Sequence, residues 1–149
     1  MMYRKILGAA LFGALAIFVS SELFAQQDVI DKRQKLMKDN SAATKAIKGA
    51  AEAKDYATIE AKAKDVVGNA DRIVDAFPKG STKGKTKATD AIWEKSDEFS
   101  KNAKNLKKAA SELADAAKAS DPAIDVKVKA LGDACGACHK AFRAEKYSE

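Results

Sequence analysis

The chain has 149 residues, 46% of them hydrophobic but only 7% aromatic, and a formal net charge of +6; that length suits one domain with one core. Alanine supplies much of the apolar content, proline appears only twice, and no run of alternating β-branched residues is long enough to suggest a sheet, so the composition predicts an all-α protein. Lysines and acids alternate along most of the chain as on solvated helix faces, and no basic stretch is interleaved with aromatics, which excludes a nucleic-acid partner and leaves a mild bias toward acidic partners or anionic surfaces.

The first 25 residues read as a separate segment. Arg4 and Lys5 precede an unbroken apolar and glycine run from Ile6 to Val19, and Ser20 to Ala25 follow. This is the pattern of a secretory signal peptide, with cleavage expected after Ala25. The apolar run falls short of the roughly 20 residues that span a bilayer. Cleavage removes two cations and one anion (Arg4, Lys5 and Glu22), so the charge falls from +6 to +5 over residues 26–149.

Four amphipathic segments follow. The first runs from Asp28 to Lys48, with Ile30, Arg33, Met37, Thr44 and Ile47 recurring near the helical period. The second runs from Tyr56 to Phe77, capped by Asp55 and ended by Pro78, with Ile59, Ala63, Val66, Ala70, Ile73 and Phe77 on its stripe. A loop from Pro78 to Lys87 carries Lys79, Lys83, Lys85 and Lys87 and no acid; it is expected to shape docking. The third segment runs from Ala88 to Ala117 with Ile92, Phe99, Leu106 and Leu113 on one face. The fourth starts at Asp121 and Pro122, an acid followed by proline at the first helical position, and places Ile124, Val128, Leu131, Cys135, Cys138, His139 and Phe142 on one broad face. Short connections predict an antiparallel up-down-up-down four-helix bundle. Its alanine-rich helices bury little area per residue, so the core would be underfilled without a cofactor.

The run Cys135-Gly136-Ala137-Cys138-His139 supplies one. On a helix the two cysteines and the histidine lie at i, i+3 and i+4, on one face. Two thiols so placed can add across the vinyl groups of haem while the imidazole meets the iron, and Gly136 and Ala137 leave room for the macrocycle; this is the attachment pattern of c-type haem. A redox dithiol would need a βαβ setting. Structural zinc would need four ligands, and residues 26–149 hold two cysteines and one histidine in all. A disulfide across two residues of a helix has poor geometry.

Counting narrows the opposite axial position. His139 is the only histidine, and Met37 is the only methionine beyond the signal segment. Met37 is therefore the sole strong neutral ligand available, against a reading as flexible core filler. Arg33, one turn earlier, can pair with a haem propionate; Arg143, one turn after His139, can do the same. Trp93 is expected to pack against the porphyrin.

These residues resemble class II c-type cytochromes, the family of cytochrome c prime and the low-spin cytochromes c-556. The matching pieces are Arg33-Gln34-Lys35-Leu36-Met37, Ala91-Ile92-Trp93, and Cys135 through Arg143. The resemblance implies a four-helix bundle with one covalent haem c near one end, His139 as proximal ligand, Arg33 and Gln34 near the propionates, and Met37 facing the distal side of the iron. In the c-prime branch that position is often bulky and apolar, and the iron is five-coordinate. The function expected is a periplasmic one-electron carrier with His139 and Met37 on the iron; the alternative is a five-coordinate cytochrome c prime that binds nitric oxide or other small gases. No distal histidine remains for acid–base work, so no enzyme is expected. The expected partners are periplasmic redox proteins, the expected state a monomer or homodimer, without stable membrane insertion after cleavage.

Overall fold

The computed structural model describes residues 7–147, with side chains from residue 26 onward. The chain folds into α1 (Leu7–Glu52), α2 (Tyr56–Ala70), the four-residue α3 (Ala91–Glu94), α4 (Ser96–Lys118) and α5 (Ile124–Phe142). The four long helices form a four-helix bundle. Residues 1–6 of the expected signal segment lie outside the described residues, and of 7–25 only the backbone is described, as part of α1.

Local chemistry sets the reversals. At the end of α1, Asp55 N donates to Ala50 O and Lys54 N to Ala51 O, with Lys54 at φ +53°. At the end of α4, Asp121 N donates to Ala116 O and Ser120 N to Ala117 O, with Ser120 at φ +51°. Both are Schellman closures, with a lysine and a serine where glycine is usual. Asp55 caps α2 by accepting from Thr58 N at 3.0 Å, as expected from the sequence.

Four segments differ from the sequence reading, the first because it runs from Leu7 to Glu52, beyond the expected Asp28 and Lys48. The second helix ends as α at Ala70 and continues to Phe77 in tighter turns, in which Ile73 N donates to Ala70 O and Phe77 N to Val74 O. The third helix is broken: Lys95 leaves helical geometry (φ −121°, ψ 48°) and separates α3 from α4. No proline or glycine stands there. The break lets α3 bury Ile92 and bring the Trp93 indole to Phe77 O, to which Nε1 donates at 2.9 Å. At the fourth helix, Asp121 accepts from Ala123 N through its side chain, and regular helix begins only at Ile124.

Ile47, Ile59, Val66, Leu113 and Leu131 are almost completely buried. Phe99 stacks edge-on with Phe77 and Phe142, both at 5.2 Å between centroids, and joins the α2–α3 connection to α5. At the far end Glu112 on α4 accepts from Lys108 (2.8 Å) and, across the interface, from Lys127 on α5 (3.0 Å).

Those two lysines, by hydrogen bonding and then by charge, pull the Glu112 carboxyl from its ordinary 4.5 down to about 2. Because the folded value is depressed, the stabilisation is present above the ordinary carboxyl range and is lost as pH falls toward 2. The Glu112 carboxyl carbon is expected to titrate near pH 2 by NMR. Glu112→Gln should flatten the acid limb of stability between about pH 4.5 and 2, and an unchanged limb would remove the bridge from the account.

Candidate haem site

A cavity of about 600 Å³ opens between α1 and α5, with α4 behind it. That lies within the range of roughly 300–1,000 Å³ typical of cofactor pockets. Its α5 wall carries Cys135, Cys138 and His139, and its α1 wall carries Arg33, Gln34 and Met37. The depth between them is apolar: Ile73, Ile92, Phe99, Leu106 and Phe142. The structure thus brings every residue of the sequence-predicted site to one cavity.

The α5 wall follows from helical spacing alone. Both thiols are half-buried and free, and His139 is exposed toward the opening. Burial raises the Cys135 thiol above its ordinary value. Burial, and then the neighbouring Cys135, push Cys138 up to about 11. A redox dithiol needs a thiolate of lowered pKa, so the electrostatics argue against that reading. Among the described residues no three His, Cys, Asp or Glu side chains cluster so as to hold a metal ion directly. Partial burial, and then the charge of Arg143, hold His139 below its ordinary value, which favours the neutral imidazole.

On the α1 wall, Arg33 is 2% exposed and pairs with no carboxylate among the described residues. Nη1 donates to Ser81 Oγ at 2.6 Å, and Nη2 to Ser81 O at 2.7 Å and Thr86 Oγ1 at 2.8 Å. Its guanidinium carbon also lies 4.9 Å from the centre of the Phe77 ring. Burial lowers its pKa. Gln34 Nε2 donates to Lys85 O at 2.7 Å. Arg33 and Gln34 therefore tie the lysine loop to α1 while lining the cavity. Met37 is partly buried against the core, across the cavity from α5.

Two expectations need correction. Trp93 does not line the cavity; its indole anchors the α2–α3 connection through Phe77 O, because the break at Lys95 turns α3 away. The lysine loop, expected to shape docking without touching the site, does reach it: Thr86 and Lys87 line the cavity, while Lys79, Lys83 and Lys85 do not. The sequence reading also passed over Asn40, which is 7% exposed, lines the cavity, accepts from Asn69 Nδ2 at 2.9 Å and keeps a buried Nδ2 without a partner among the described residues. The signal was available, since position 40 falls on the stripe of Arg33, Met37 and Thr44.

The residues fit haem. An apolar slot of suitable volume lies between two thiols with an imidazole and a methionine wall. At its edge stand, among the described residues, a buried cation without an anion and a buried donor without an acceptor, both uncommon in a self-sufficient core.

Comparison with known proteins agrees. The model of the family described as Cytochrome C' matches residues 28–143. A cytochrome c-556 of Agrobacterium fabrum is 30% identical over 152 residues, covering 98% of this chain and 99% of that protein. A cytochrome c' of Rhodospirillum rubrum is 46% identical over 72 residues, covering 47% of this chain and 49% of that one. The crystal structure of cytochrome c' from Thermochromatium tepidum superposes with a TM-score of 0.74 at 26% identity, covering 80% of this chain and 97% of that one.

Two outcomes follow. Arg33→Met should cost about 2–4 kcal/mol in urea unfolding, because three acceptors lose a charged donor; a change under about 0.5 kcal/mol, the size of an ordinary surface substitution, would mean that the loop does not depend on it. In haem-free protein, alkylation of Cys138 should be slow at pH 7 and rise with pH toward about 11. Fast alkylation at neutral pH would mean an activated thiolate and a redox role.

Proposed function

The chain belongs to the cytochrome c' family, and from that premise we propose that it holds five-coordinate haem c and binds a small neutral gas on the side facing α1. It is an electron-transfer haem protein of that family, and its cofactor is covalently bound haem c. When bound, haem c supplies one iron that exchanges a single electron and offers an axial position to a small ligand.

The observation that carries the reading is the cavity with Cys135, Cys138 and His139 on one wall and Met37 on the other. Cys135 and Cys138 form the thioethers. Their high pKa keeps them protonated until attachment. His139, favoured in its neutral form, is the proximal ligand. Arg33, buried and without a carboxylate partner among the described residues, faces the propionate side and holds the loop that closes it. The deep lining is apolar apart from Asn40, which favours a neutral diatomic over a charged ligand.

The expected ligation by both His139 and Met37 is not supported; the family match and the cytochrome c' fold favour the five-coordinate alternative. Met37 then acts as a wall that limits the size and rate of entry of the distal ligand. One observation still speaks for thioether ligation: Met37 lines the same cavity as His139, and a relative matching nearly the full chain is a cytochrome c-556.

Residues 1–25 are a signal peptide in this reading, cleaved after Ala25, and the protein works in the periplasm. The leader pattern and the extracytoplasmic attachment of haem support this. Among the described residues no helix is long and apolar enough to cross a membrane.

Acid–acetone treatment should leave the haem on the polypeptide, and Cys135→Ser with Cys138→Ser should release it. Optical spectra of the oxidised and reduced protein should be high-spin. Met37→Ala should speed carbon monoxide binding without changing the coordination number. A low-spin spectrum with a weak far-red thioether band that disappears in Met37→Ala would make Met37 the sixth ligand and restore the carrier reading.

A further inference from the structure

Away from the cavity, many lysines of the helices have acidic partners, although Lys101, Lys104 and Lys118 on α4 form no ion pair among the described residues. Lys32 pairs with Asp28 and Lys35 with Asp39 on α1, Lys62 with Asp65 and Lys64 with Glu60 on α2, and Lys108 with Glu112 and Lys129 with Asp133 on α4 and α5. Around the cavity no such pair forms, and the cations gather without an acid beside them. Lys38, Lys45, Lys48, Lys87 and Arg143 line its opening, no carboxylate lines it, and none of the five forms an ion pair among the described residues. Lys38, Lys45, Lys48 and Arg143 are exposed. Lys87 donates to Glu145 O at 2.6 Å and sits 4.9 Å from the centre of the Tyr147 ring.

We infer that this opening is the docking surface for an acidic redox protein, whose carboxylates face Lys38, Lys45 and Lys48 on α1 and Lys87 and Arg143 opposite. The inference rests on the haem reading above, since the opening leads to the cavity that would hold the cofactor. The two propionates of haem offset at most two of these charges. The rest remain on one face, where aligned like charge steers a partner of opposite sign and raises its association rate. The arrangement is local and does not simply express the net charge: the same helix that pairs Lys32 and Lys35 carries no acid from Asn40 to Ala51. It also shifts most of the docking surface from the loop of Lys79–Lys87, where the sequence put it, to the Lys38–Lys48 stretch of α1, and keeps Lys87 of that loop.

The test uses the haem-loaded protein and two triple variants of equal charge. One is Lys38→Gln/Lys45→Gln/Lys48→Gln. The control is Lys54→Gln/Lys104→Gln/Lys118→Gln, three exposed lysines that do not line the cavity. In stopped flow, ferrous protein gives one electron to hexacyanoferrate(III), which becomes hexacyanoferrate(II) while the haem iron becomes ferric; no bond or proton changes place. At low salt the first variant should react about tenfold more slowly with a flattened salt dependence, and the control should change less than about twofold. Binding of a 20-residue poly-L-glutamate, measured by calorimetry, should weaken about tenfold in the first variant only. Equal effects from both triples would overturn the inference. An effect on hexacyanoferrate without one on poly-L-glutamate would also overturn it, leaving a site for small anions only. A preparation without covalent haem would sink the functional reading instead, and the poly-L-glutamate measurement would still judge the surface.

Discussion

Arg33 carries a positive charge into a place that water does not reach, and much of the structure answers to that. An unpaired buried ion costs several kcal/mol unless hydrogen bonds replace its hydration. Here Ser81 and Thr86 supply the replacement, 48 and 53 residues along the chain. The loop that brings them cannot lie loosely. Gly84 adopts φ +135°, and a Cβ there would stand 2.8 Å from Gln27 Oε1 and from Ile30 Cδ1, so the turn rests directly on α1. Immediately after the loop, Ala144 N donates to Lys87 O at 2.8 Å and Thr89 N to Phe142 O at 3.1 Å. The end of α5 is thereby fastened to the loop, and the loop to α1. Two helices that face each other across a cavity are held in register by a polar clamp at its edge, which leaves the space between them free for a cofactor.

The rest of the bundle is built so that this opening can be tolerated. Alanines at positions 63, 70, 110, 114 and 117 are buried and let the helices approach closely away from the cavity. The edge-on aromatic contacts of Phe77, Phe99 and Phe142 form the transition between the closed part and the open part. A cofactor in the cavity would bury apolar area against these rings and satisfy groups the chain leaves unmet, Asn40 Nδ2 among them. Cofactor binding and completion of the core are then one event, a usual economy in small helical bundles.

Charge is partitioned in the same way. Ion pairs three or four residues apart neutralise parts of the outer helix faces, each worth only a few tenths of a kcal/mol in water. The face around the cavity is left cationic. The resulting field does not activate the cysteines: burial outweighs the charge of Lys48 acting on Cys135. Desolvation dominates inside the slot, and the unpaired cations act outward, on whatever approaches the opening.

What the sequence by itself determined is what lies within a few turns of one helix. The spacing of Cys135, Cys138 and His139 puts them on one face whatever the surroundings, and the stripe of Ile30, Arg33, Met37 and Ile47 turns inward because the helical period allows no other reading. Asp55 as a cap and the need for a cofactor in an alanine-rich core were legible for the same local reason. The break at Lys95 was not, because no breaker residue stands there and its cause is the distant carbonyl of Phe77 calling the Trp93 indole. Nor was the role of Ser81 and Thr86, which are ordinary loop residues until Arg33 is brought beside them. The unpaired cations around the cavity belong to the same class: each lysine looks solvated and unremarkable in the chain, and only the packing of α1 against the end of α5 gathers them on one face, since which charges share a surface depends on contacts between residues far apart in sequence.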